Sequence, residues 1–250
     1  MISVTLLSRG RCDKLNPIYY YTVSRTSRVA RIWSNYELKK IAHIFSGDIV
    51  NVSGWDDRDK QGDYYRNYFQ NKGNYYITNL GEGERGYQDQ PDEIELNLTD
   101  ALPDNLYKRF DVVYNHTTLE HIYEIFTAFK NICNLSKDIV ILVVPFAQNE
   151  HGQGKWGDYW RFTPGSLREL FRRNNLQVVY ESESPYRNSA VYLFFVASRN
   201  PEKWQYIMPN NGRIQKAGSW IGDAGLPKKI NKANKVISRC RKLFKNTLLR

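Results

Sequence analysis

Cysteine is scarce in this sequence, and the three that occur form no recognisable pattern. Cys12, Cys133 and Cys240 lie far apart, without any CxxC or Cys/His spacing. An odd number of isolated cysteines predicts free thiols in a reducing compartment rather than a disulfide framework. Long apolar runs are also missing. No stretch reaches the roughly 18 consecutive apolar residues that a membrane-spanning helix needs, so no such helix is expected.

Several catalytic and metal-binding motifs are absent as well. There is no HxH, HExxH or Cys/His cluster, so the sequence predicts no metal site. There is no GxSxG elbow, which counts against a serine hydrolase. The N-terminal stretch "MISVTLLSRGRC" contains a short apolar run, but it lacks a preceding basic segment and a following small-residue cleavage site. A signal peptide is therefore not expected.

The charge of the chain is unevenly distributed. The net charge of the 250 residues is +10, and residues 201 to 250 hold twelve Lys or Arg against two acids, Glu202 and Asp223. The first 200 residues are therefore neutral overall, and the tail is basic. A protein that acts on a polyanion is expected to spread cations over its body, so nucleic acid is not favoured as a substrate.

Apolar periodicity alternates between helical and strand spacing along residues 28 to 200. Helices are predicted over 28 to 46, where Gly47 is expected to stop the helix, and over 58 to 73, 118 to 134 and 163 to 175. Thr163 is the expected N-cap of the last helix, with Pro164 at its first position. Seven runs rich in branched and aromatic residues predict strands at 48–54, 74–80, 94–98, 109–116, 138–146, 176–184 and 190–198.

This alternation of strands and helices predicts a doubly wound α/β fold. Its seven-stranded sheet is expected to be mostly parallel and covered by helices on both faces. The connection at 185 to 189 is too short for a crossover, so the last two strands should form an antiparallel hairpin at the edge.

Three segments in the second half of this pattern resemble a known family. They are "FDVVYNHTTLEHI" at 110–122, "DIVILVVPF" at 138–146 and "DYWRFTPGSLRELFRRNNLQVV" at 158–179. Together they look like the second half of a class I S-adenosylmethionine-dependent methyltransferase. The resemblance covers roughly 48 to 200. It implies the Rossmann-like seven-stranded sheet of that family, with one antiparallel edge strand, and S-adenosylmethionine as the cofactor.

The cofactor turn is the weak part of the resemblance. In such folds the ligand lies beyond the carboxyl ends of the strands, against glycines in the first turn and an acid after the second strand. Here the turn "NVSGWDD" (51–57) has one glycine, Gly54, and amides stand where the family commonly has acids: Asn51, Asn79 and Asn97. An amide can bond to hydroxyls or to an adenine edge, but it lacks the charge that strengthens such bonds.

The resemblance nevertheless implies a set of cofactor contacts, which are Asn51, Ser53, Gly54, Asn79, Asn97 and Asn115. Asp56, Asp57 or Glu82 could substitute for the missing acid. The alternative interpretation of "NVSGWDD" is a surface turn in which Asp and Gly serve turn geometry.

Methyl transfer to a hydroxyl requires a positioned acceptor and a general base. Three residues are candidates for catalysis: His116 at the end of the fourth strand, and His151 and Asp158 in the loop after the fifth strand. His151 or Asp158 is the preferred base, and the alternative for His116 is a locally hydrogen-bonded loop histidine. Glu120 and His121 are expected to have a structural role at a helix start, where an acid is favoured, and the alternative is a role in catalysis.

The segment "QNEHGQGKWGDYWRF" (148–162) is the most unusual in the chain. It combines glycines, aromatic residues and a few charged or amide side chains. Aromatic faces beside polar groups suit sugar rings, which stack through their C–H faces and bond through their hydroxyls. Acceptor contacts are therefore predicted from Trp156, Tyr159, Trp160 and Arg161. The alternative is an amphipathic loop that covers the sheet edge.

The basic tail, residues 228 to 250, has apolar residues at three- to four-residue spacing with Lys and Arg between them. This pattern predicts an amphipathic helix that contacts an anionic membrane surface or a protein partner. The alternative is a helix docked on the domain. Residues 201 to 227 have the composition of a linker, residues 1 to 47 form an N-terminal segment and helix, and residues 48 to 200 form the methyltransferase-like domain. A cytoplasmic protein at the inner membrane face is expected.

These features predict an S-adenosylmethionine-dependent O-methyltransferase that acts on a saccharide hydroxyl of a surface or lipid-linked glycan. The alternative is a catalytically inactive methyltransferase-like scaffold that binds a partner in glycan biosynthesis, which the amides and sparse glycines favour. A nucleic-acid methyltransferase is disfavoured by the neutral body and by the lack of an Asn/Asp-Pro-Pro-Tyr/Phe motif.

Overall fold

The computed structural model describes residues 29–81, 85–152, 157–184, 190–204, 206–209 and 214. Within them, seven strands form one sheet in the order β3-β2-β1-β4-β5-β7-β6. The strands are β1 (Ser46–Val52), β2 (Asn71–Asn79), β3 (Glu93–Glu95), β4 (Phe110–His116), β5 (Ser136–Ala147), β6 (Gln177–Glu183) and β7 (Val191–Ser198). The helices are α1 (Val29–Ile41), α2 (Ile125–Leu135), α3 (Pro164–Arg173) and α4 (Pro201–Trp204).

The pairing of the strands confirms the predicted architecture. Strands β1 to β5 pair in parallel, whereas β7 lies antiparallel to both β5 and β6. The chain moves outward from β1 to β3, then returns to place β4 on the other side of β1. This reversal leaves a crevice beyond the carboxyl ends of β1 and β4, which is where doubly wound folds bind ligands.

The sheet is covered on both faces, which explains its apolar central strands. Along β5, Val140, Leu142 and Val144 join the core under α2 and α3, and the alternate residues Ile139 and Ile141 join the core under α1. A strand buried on both faces reads as a continuous apolar run. This is why "DIVILVVPF" was recognisable as a central strand.

The start of α3 also agrees with the sequence. Thr163 Oγ1 accepts a hydrogen bond from Ser166 N at 3.1 Å, and Ser166 Oγ accepts one from Thr163 N at 3.1 Å. Pro164 occupies the first helical position. The N-cap predicted at Thr163 is therefore confirmed, and the reciprocal bonds fix where the chain turns from the loop into the helix.

Two predicted boundaries near the N-terminus are wrong. The first helix ends at Ile41, followed by a short 3₁₀ turn, and Gly47 lies inside β1 instead of ending the helix. Gly47 has φ of +90°, and a Cβ there would overlap the Asp111 side chain. That carboxylate accepts a hydrogen bond from Asp48 N at 2.8 Å. The glycine is therefore needed for the close contact between β1 and Asp111 of β4. An interpretation of Gly47 as the end of a helix does not predict this contact.

The helix predicted over 58 to 73 is also wrong. This segment contains one 3₁₀ turn, Tyr65–Asn67, and β2 begins at Asn71. The buried Asp59 accepts hydrogen bonds from Gln61 N at 2.6 Å, Asp63 N at 3.0 Å and the Tyr68 hydroxyl at 2.5 Å. Because its carboxylate gathers nearby backbone N–H groups, it competes with helical hydrogen bonding.

Residues after β7 remain packed on the domain. Trp204 and Met208 are buried, and the Trp204 ring lies 5.3 Å from the Phe45 ring. The predicted linker therefore begins with residues that contact the core, while the predicted domain bounds stay predictions. The first 28 residues and the basic tail lie outside the described residues. None of the described helices is long and apolar enough to span a membrane.

Candidate functional site

A cavity of about 670 Å³ lies at the carboxyl ends of β1, β2 and β4. The structure brings together there most of the residues that the sequence predicted as functional: Asn51, Ser53, Gly54, Asn79, Asn97, His116, His151 and Tyr159. The predicted residues Asn115, Asp158, Trp160 and Arg161 are not part of this lining. Trp156 lies outside the described residues.

A second cavity, of about 870 Å³, lies along β6 and is larger. Its wall includes Arg168 and Arg199, which are held by Glu181 and by backbone carbonyls respectively. It shares no lining residue with the cavity at the strand ends, where polar groups converge. The smaller cavity at the crevice is therefore the candidate site.

The loop after β1 is held in an unusual conformation. Ser53, Trp55 and Asp57 all have positive φ, at 55°, 48° and 61°. Such angles are uncommon for residues with side chains, and they persist only when surrounding contacts enforce them. Here Asn51 Nδ2 donates to Asp57 Oδ1 at 2.8 Å, and Asp57 N donates to Gly54 O at 2.9 Å. The turn "NVSGWDD" is therefore closed and held in shape by hydrogen bonds between its own residues.

Gly54 is required by the packing of this turn. A Cβ at Gly54 would lie 2.6 Å from Asn51 Nδ2 and 3.1 Å from Ile77 Cγ2. Any side chain would push away the Asn51 amide that holds Asp57. The single glycine therefore serves close contact inside the loop, and it lies in the wall of the cavity.

Asn79, one of the predicted cofactor contacts, uses its amide to hold the loop. Its Oδ1 accepts from Trp55 N at 2.8 Å, and its Nδ2 donates to Trp55 O at 3.1 Å and to Glu93 Oε1 at 2.5 Å. Asp57, a predicted substitute acid, is buried and accepts from Asn51, Tyr75 and Arg66. Both groups therefore shape the cavity instead of offering open polar atoms to it.

Other predicted cofactor residues keep polar atoms that are open to the cavity. Asn97 Oδ1 accepts from Thr99 N at 3.0 Å, whereas Asn97 Nδ2 makes no hydrogen bond to the described residues. The Ser53 hydroxyl likewise makes none within the described part of the chain, and its backbone N donates to Thr78 Oγ1. Asn115 instead lies behind the lining and donates to Val52 O at 2.9 Å.

Cations surround the aromatic side of the loop. The Lys60 ammonium lies 4.1 Å from the centre of the Trp55 ring, and the Arg85 guanidinium lies 5.0 Å from it. Asp56 contacts Arg58 and Lys60 at 3.4 Å and 3.8 Å. Cation–π contacts of this kind hold a ring in place, so Trp55 forms a fixed part of the cavity rim.

A closed ring of hydrogen bonds joins α1 to the end of β4. Arg31 NH2 donates to Thr117 Oγ1 at 3.0 Å, and Thr117 Oγ1 lies 2.9 Å from His116 Nδ1. His116 Nε2 lies 2.8 Å from Ser34 Oγ, which in turn donates to Arg31 O at 2.9 Å. Thr117 has φ of 48°, a strained value for a β-branched residue.

The direction of these bonds fixes the protonation of His116. Because Ser34 donates to a carbonyl, its oxygen accepts from His116 Nε2–H, and Nδ1 accepts from the Thr117 hydroxyl. Burial, reinforced by the nearby Arg31 charge, holds the pKa of His116 well below its ordinary value. His116 is therefore neutral, both nitrogens are used, and neither is available to a substrate.

Arg31 was not predicted from the sequence, although it is the main cation of the inner wall. It donates to the Tyr65 hydroxyl at 3.2 Å and to Thr117, and it makes no ion pair with a carboxylate in the described residues. A largely buried guanidinium without a carboxylate suits an anionic ligand group. Only the folded structure brings Arg31 to the cavity, so its position along the helical pattern gave no signal.

On the other side of the cavity, Asp158 is held by a bidentate ion pair. Arg161 NH1 and NH2 lie 2.5 Å and 2.6 Å from its two carboxylate oxygens. The hydrogen bonds from Arg161 hold the pKa of Asp158 far below its usual range. A carboxylate this acidic is a poor general base. Asp158 instead contacts His151, whose Nδ1 lies 3.1 Å from Asp158 Oδ2.

Two exposed tyrosines lie at the mouth of the cavity. Tyr123 and Tyr159 are 66% and 53% exposed, and their ring centres lie 5.4 Å apart. Trp160 packs beside Tyr123 and donates from Nε1 to Ile122 O at 3.0 Å. Trp160 thus supports the wall from behind, and the tyrosine faces are the aromatic surfaces that a ligand could reach. The sequence did not single out Tyr123.

Glu120 and His121 lie at the inner end of this wall. Glu120 is fully buried, neither carboxylate oxygen has a hydrogen-bond partner in the described residues, and burial raises its pKa to about 8. His121 Nδ1 lies 2.5 Å from Gly157 O, and its ring lies 4.9 Å from the His151 ring.

The comparisons with known proteins agree with this architecture. No protein-family model matches the sequence, and no curated protein is significantly similar to it. A solved chain from the complex between a Haloferax volcanii methyltransferase activator and a putative methyltransferase matches 73% of this chain and 95% of its own length, at 13% identity and a TM-score of 0.50. The protein has the fold of class I S-adenosylmethionine-dependent methyltransferases.

Two further solved structures with this methyltransferase fold are similar. A putative methyltransferase from Bacillus halodurans matches 66% of this chain and 97% of its own length, at 8% identity and a TM-score of 0.48. A Burkholderia thailandensis N1-methyltransferase, crystallised with 1,6-didemethyltoxoflavin and S-adenosylhomocysteine, matches 74% and 91%, at 16% identity and a TM-score of 0.46.

Proposed function

We propose that this protein is an S-adenosylmethionine-dependent methyltransferase that acts on a hydroxyl group. The observation that carries the proposal is the convergence of Arg31, Ser53 and Asn97, each with polar atoms directed to one cavity, at the switch point of a methyltransferase fold. When bound, the cofactor supplies a methyl group attached to a sulfonium.

The residues present fit such a cofactor. Arg31 matches the carboxylate of its methionyl part, because a guanidinium binds a carboxylate strongly and lacks one in the described residues. Ser53 and Asn97 can bond to the ribose hydroxyls and the adenine edge. Asn79 and Asp57 keep the loop in shape, so they act on the cofactor indirectly, as does the His116 network through Arg31.

The acceptor side of the cavity favours His151 as the proton acceptor. Its Nδ1 contacts Asp158, which fixes the ring, and its side chain lines the cavity. Asp158 and His116 are both committed to other partners, so they are positioning residues in this proposal. Among the three bases predicted from the sequence, His151 alone fits direct proton transfer.

A saccharide is the acceptor class that the mouth of the cavity suits. The exposed faces of Tyr123 and Tyr159 can stack on the C–H face of a sugar ring. Polar groups of the cavity wall, such as Thr118 and His151, can bond to its hydroxyls. The proposed acceptor is therefore a surface or lipid-linked glycan, with the basic tail as the contact to an anionic membrane surface or a partner.

The second candidate is a methyltransferase-like scaffold without activity. It is favoured by one observation, the internal use of the Asn79 amide and the Asp57 carboxylate. In that case the hydrogen-bonded loop would stabilise the domain, and the protein would function by binding partners at its surface.

Calorimetric titration with S-adenosylmethionine separates the two candidates. We expect micromolar binding to the wild type and a loss of about tenfold or more for Arg31→Met, because an ion pair with the carboxylate is removed. Decarboxylated S-adenosylmethionine should bind the wild type and the variant equally. The matched control is Arg168→Met, which changes an exposed arginine paired with Glu181 on the other side of the sheet.

The titration tests the activity and the assignment of Arg31 separately. Absence of binding to the wild type at millimolar ligand would overturn the methyltransferase proposal and support the scaffold. If Arg31→Met and Arg168→Met bind alike, the assignment of Arg31 to the carboxylate is wrong, although the activity proposal stands.

The acceptor class is tested by methyl transfer to glycans. We expect turnover with a lipid-linked or soluble saccharide, and a higher KM for Tyr159→Ala, whereas Tyr206→Ala should not change it because Tyr206 is exposed and outside the cavity. Turnover only with a small phenol or a protein would remove the saccharide proposal. Cosedimentation with anionic vesicles, with and without residues 228 to 250, tests the tail.

A further inference from the structure

One group of side chains on the acceptor side has the composition of a metal site. Glu120, His121 and His151 each offer one ligand atom, and these atoms all lie within 4.8 Å of one another. The distance between Glu120 Oε1 and His121 Nε2 is 3.9 Å. Ligands of one ion at about 2.1 Å are separated by about 3 to 4 Å, so a small contraction brings the three atoms into coordination range.

The hydrogen bonds of His121 leave one nitrogen for an ion. Its Nδ1 lies 2.5 Å from Gly157 O, a carbonyl that can only accept, so Nδ1 carries the proton. The unprotonated Nε2 is the atom that faces Glu120 Oε1. A histidine that binds a metal normally donates its other N–H to a carbonyl or carboxylate in this way.

His151 shows the same arrangement with a carboxylate. Its Nδ1 lies 3.1 Å from Asp158 Oδ2 and 3.2 Å from Asn149 O, so Nδ1 carries the proton here too. In the described part of the chain its Nε2 has one hydrogen-bond neighbour, the Gln148 side chain at 3.5 Å, the limit of a hydrogen bond. Arg161 holds the Asp158 carboxylate in place through two bonds. The supporting contacts of a metal-bound histidine are therefore already formed.

Glu120 supplies the independent observation that a cation belongs here. Its side chain is fully buried, yet neither carboxylate oxygen has a hydrogen-bond partner in the described residues. A buried carboxyl group without a partner costs free energy, and native proteins rarely leave one. Among the described residues Gln148 Oε1 is also buried without a hydrogen-bond partner, and when the amide is turned over this oxygen takes the place of Nε2 beside His151.

We propose that Glu120, His121 and His151 bind a divalent first-row transition metal ion at the acceptor end of the cavity. Two imidazoles with one carboxylate suit zinc, iron or manganese better than magnesium or calcium, which prefer oxygen ligands alone. All three ligands belong to or adjoin the cavity wall, and both histidines line it. An ion held by these residues would therefore border the cavity in which the acceptor is proposed to bind.

The metal site adds to the proposed function. Binding of the ion does not depend on that function, but a role of the ion in catalysis rests on it. An ion there would bind the acceptor hydroxyl and lower its pKa, so that the oxygen attacks as an alkoxide while the proton leaves to solvent. His151 Nε2 would then be a ligand, and the ion would replace His151 as the group that activates the hydroxyl. The sequence predicted no metal site because thirty positions separate His121 from His151, and no motif spans that separation.

The ion is tested by direct binding to the full chain, without cofactor or acceptor. We expect calorimetry with Zn²⁺ to show one ion per metal-free chain with a micromolar or smaller dissociation constant. Co²⁺ should give the visible absorption of a nitrogen- and oxygen-ligated site. His151→Ala, a change at a partly exposed side chain, should weaken binding by about 100-fold, and Asp158→Asn by about 10- to 100-fold. Glu120→Gln should also weaken it.

The control is His43→Ala, which removes an exposed histidine remote from the cavity and should leave binding unchanged. No binding of Zn²⁺, Co²⁺ or Mn²⁺ at submillimolar concentration would overturn the proposal. So would binding that His151→Ala and Glu120→Gln leave intact. Because no cofactor is present, these results do not depend on methyltransferase activity. Titration with S-adenosylmethionine tests that activity separately.

Discussion

Asn51 Nδ2 lies 2.8 Å from Asp57 Oδ1, and this hydrogen bond closes the loop that follows β1. The same buried carboxylate accepts from the Tyr75 hydroxyl at 2.7 Å and from Arg66 N at 3.0 Å. One acid thus connects β1, β2 and the segment between them. The loop after β1, which in this fold faces the cofactor, is therefore held by the Asp57 carboxylate. A glycine-rich turn would instead depend on the backbone freedom of its glycines.

Asp57→Ala should lower the free energy of unfolding by about 3 kcal/mol or more, because two buried donors, Asn51 Nδ2 and the Tyr75 hydroxyl, and the partly buried Arg66 N lose their acceptor. Urea unfolding measures the loss. The control is Asp56→Ala on the same loop, whose side chain is 28% exposed and should cost about 0.5 kcal/mol. Similar losses for the two variants would show that Asp57 does not hold the loop.

Gly54→Ala should weaken binding of S-adenosylhomocysteine by about tenfold or more, with little change in secondary structure. The added Cβ would lie 2.6 Å from Asn51 Nδ2, so the loop must shift. Gly165→Ala is the matched control, since its nearest atom would be Thr163 Oγ1 at 3.9 Å. Unchanged affinity in both variants would mean that the loop does not form the cofactor wall.

His116 should remain the neutral Nε2–H tautomer when the solution is acidified. Nitrogen-15 NMR of the histidine rings reports the tautomer directly. A His116 signal of the Nδ1–H form, or of an imidazolium at about pH 6, would contradict the hydrogen-bond ring described above.

The same residue should make the fold less stable in acid. Because burial holds the folded pKa of His116 well below 6.5, the unfolded chain takes up a proton first as the pH falls through 6.5. Unfolding is then favoured, and stability falls with pH. His116→Gln should show a smaller fall between about pH 7 and pH 5 in urea titrations. An equal or steeper fall in the variant would contradict this prediction.

Trp204→Ala should destabilise the domain by about 3 to 5 kcal/mol, as expected for a buried tryptophan. The indole contacts Phe45 and donates to Asp138 Oδ2 at 2.9 Å. Tyr206→Ala, two residues later and 87% exposed, should change stability by about 0.5 kcal/mol or less. Thermal unfolding compares the two. If both are neutral, the domain ends at residue 200, as the sequence analysis placed it.

The parts of the fold that could be predicted are those governed by local patterns. The apolar run of β5, the cap at Thr163 and the hairpin of β6 and β7 were each found from a few adjacent residues. The segment 58 to 73 failed, because Asp59 and Asp57 draw its backbone into bonds that a helical pattern does not reveal.

The site could be located but not assigned. Because Asn51, Asn97 and His151 lie at or after the ends of predicted strands, the sequence indicated that they would lie at one edge of the sheet. All three line the same cavity. The sequence could not show that Asn79 bonds to Trp55, that Arg31 reaches the cavity from α1, or that the Glu120 carboxylate has no hydrogen-bond partner in the described residues. Each of these depends on distances between residues far apart in the chain. The residue type determines which chemistry a side chain can perform. Its neighbours in the fold determine which of its polar atoms remain free to bind a ligand.

The position of β7 affects how the chain folds during synthesis. β7 is the last strand of the sheet to leave the ribosome, but it lies between β5 and β6 rather than at an edge. Until residues 191 to 198 emerge, β5 has an open side with unpaired backbone groups and a strongly apolar sequence. Such an edge is prone to pair with another chain. Nascent chains that stall before β7 are therefore the ones expected to aggregate or to need a chaperone.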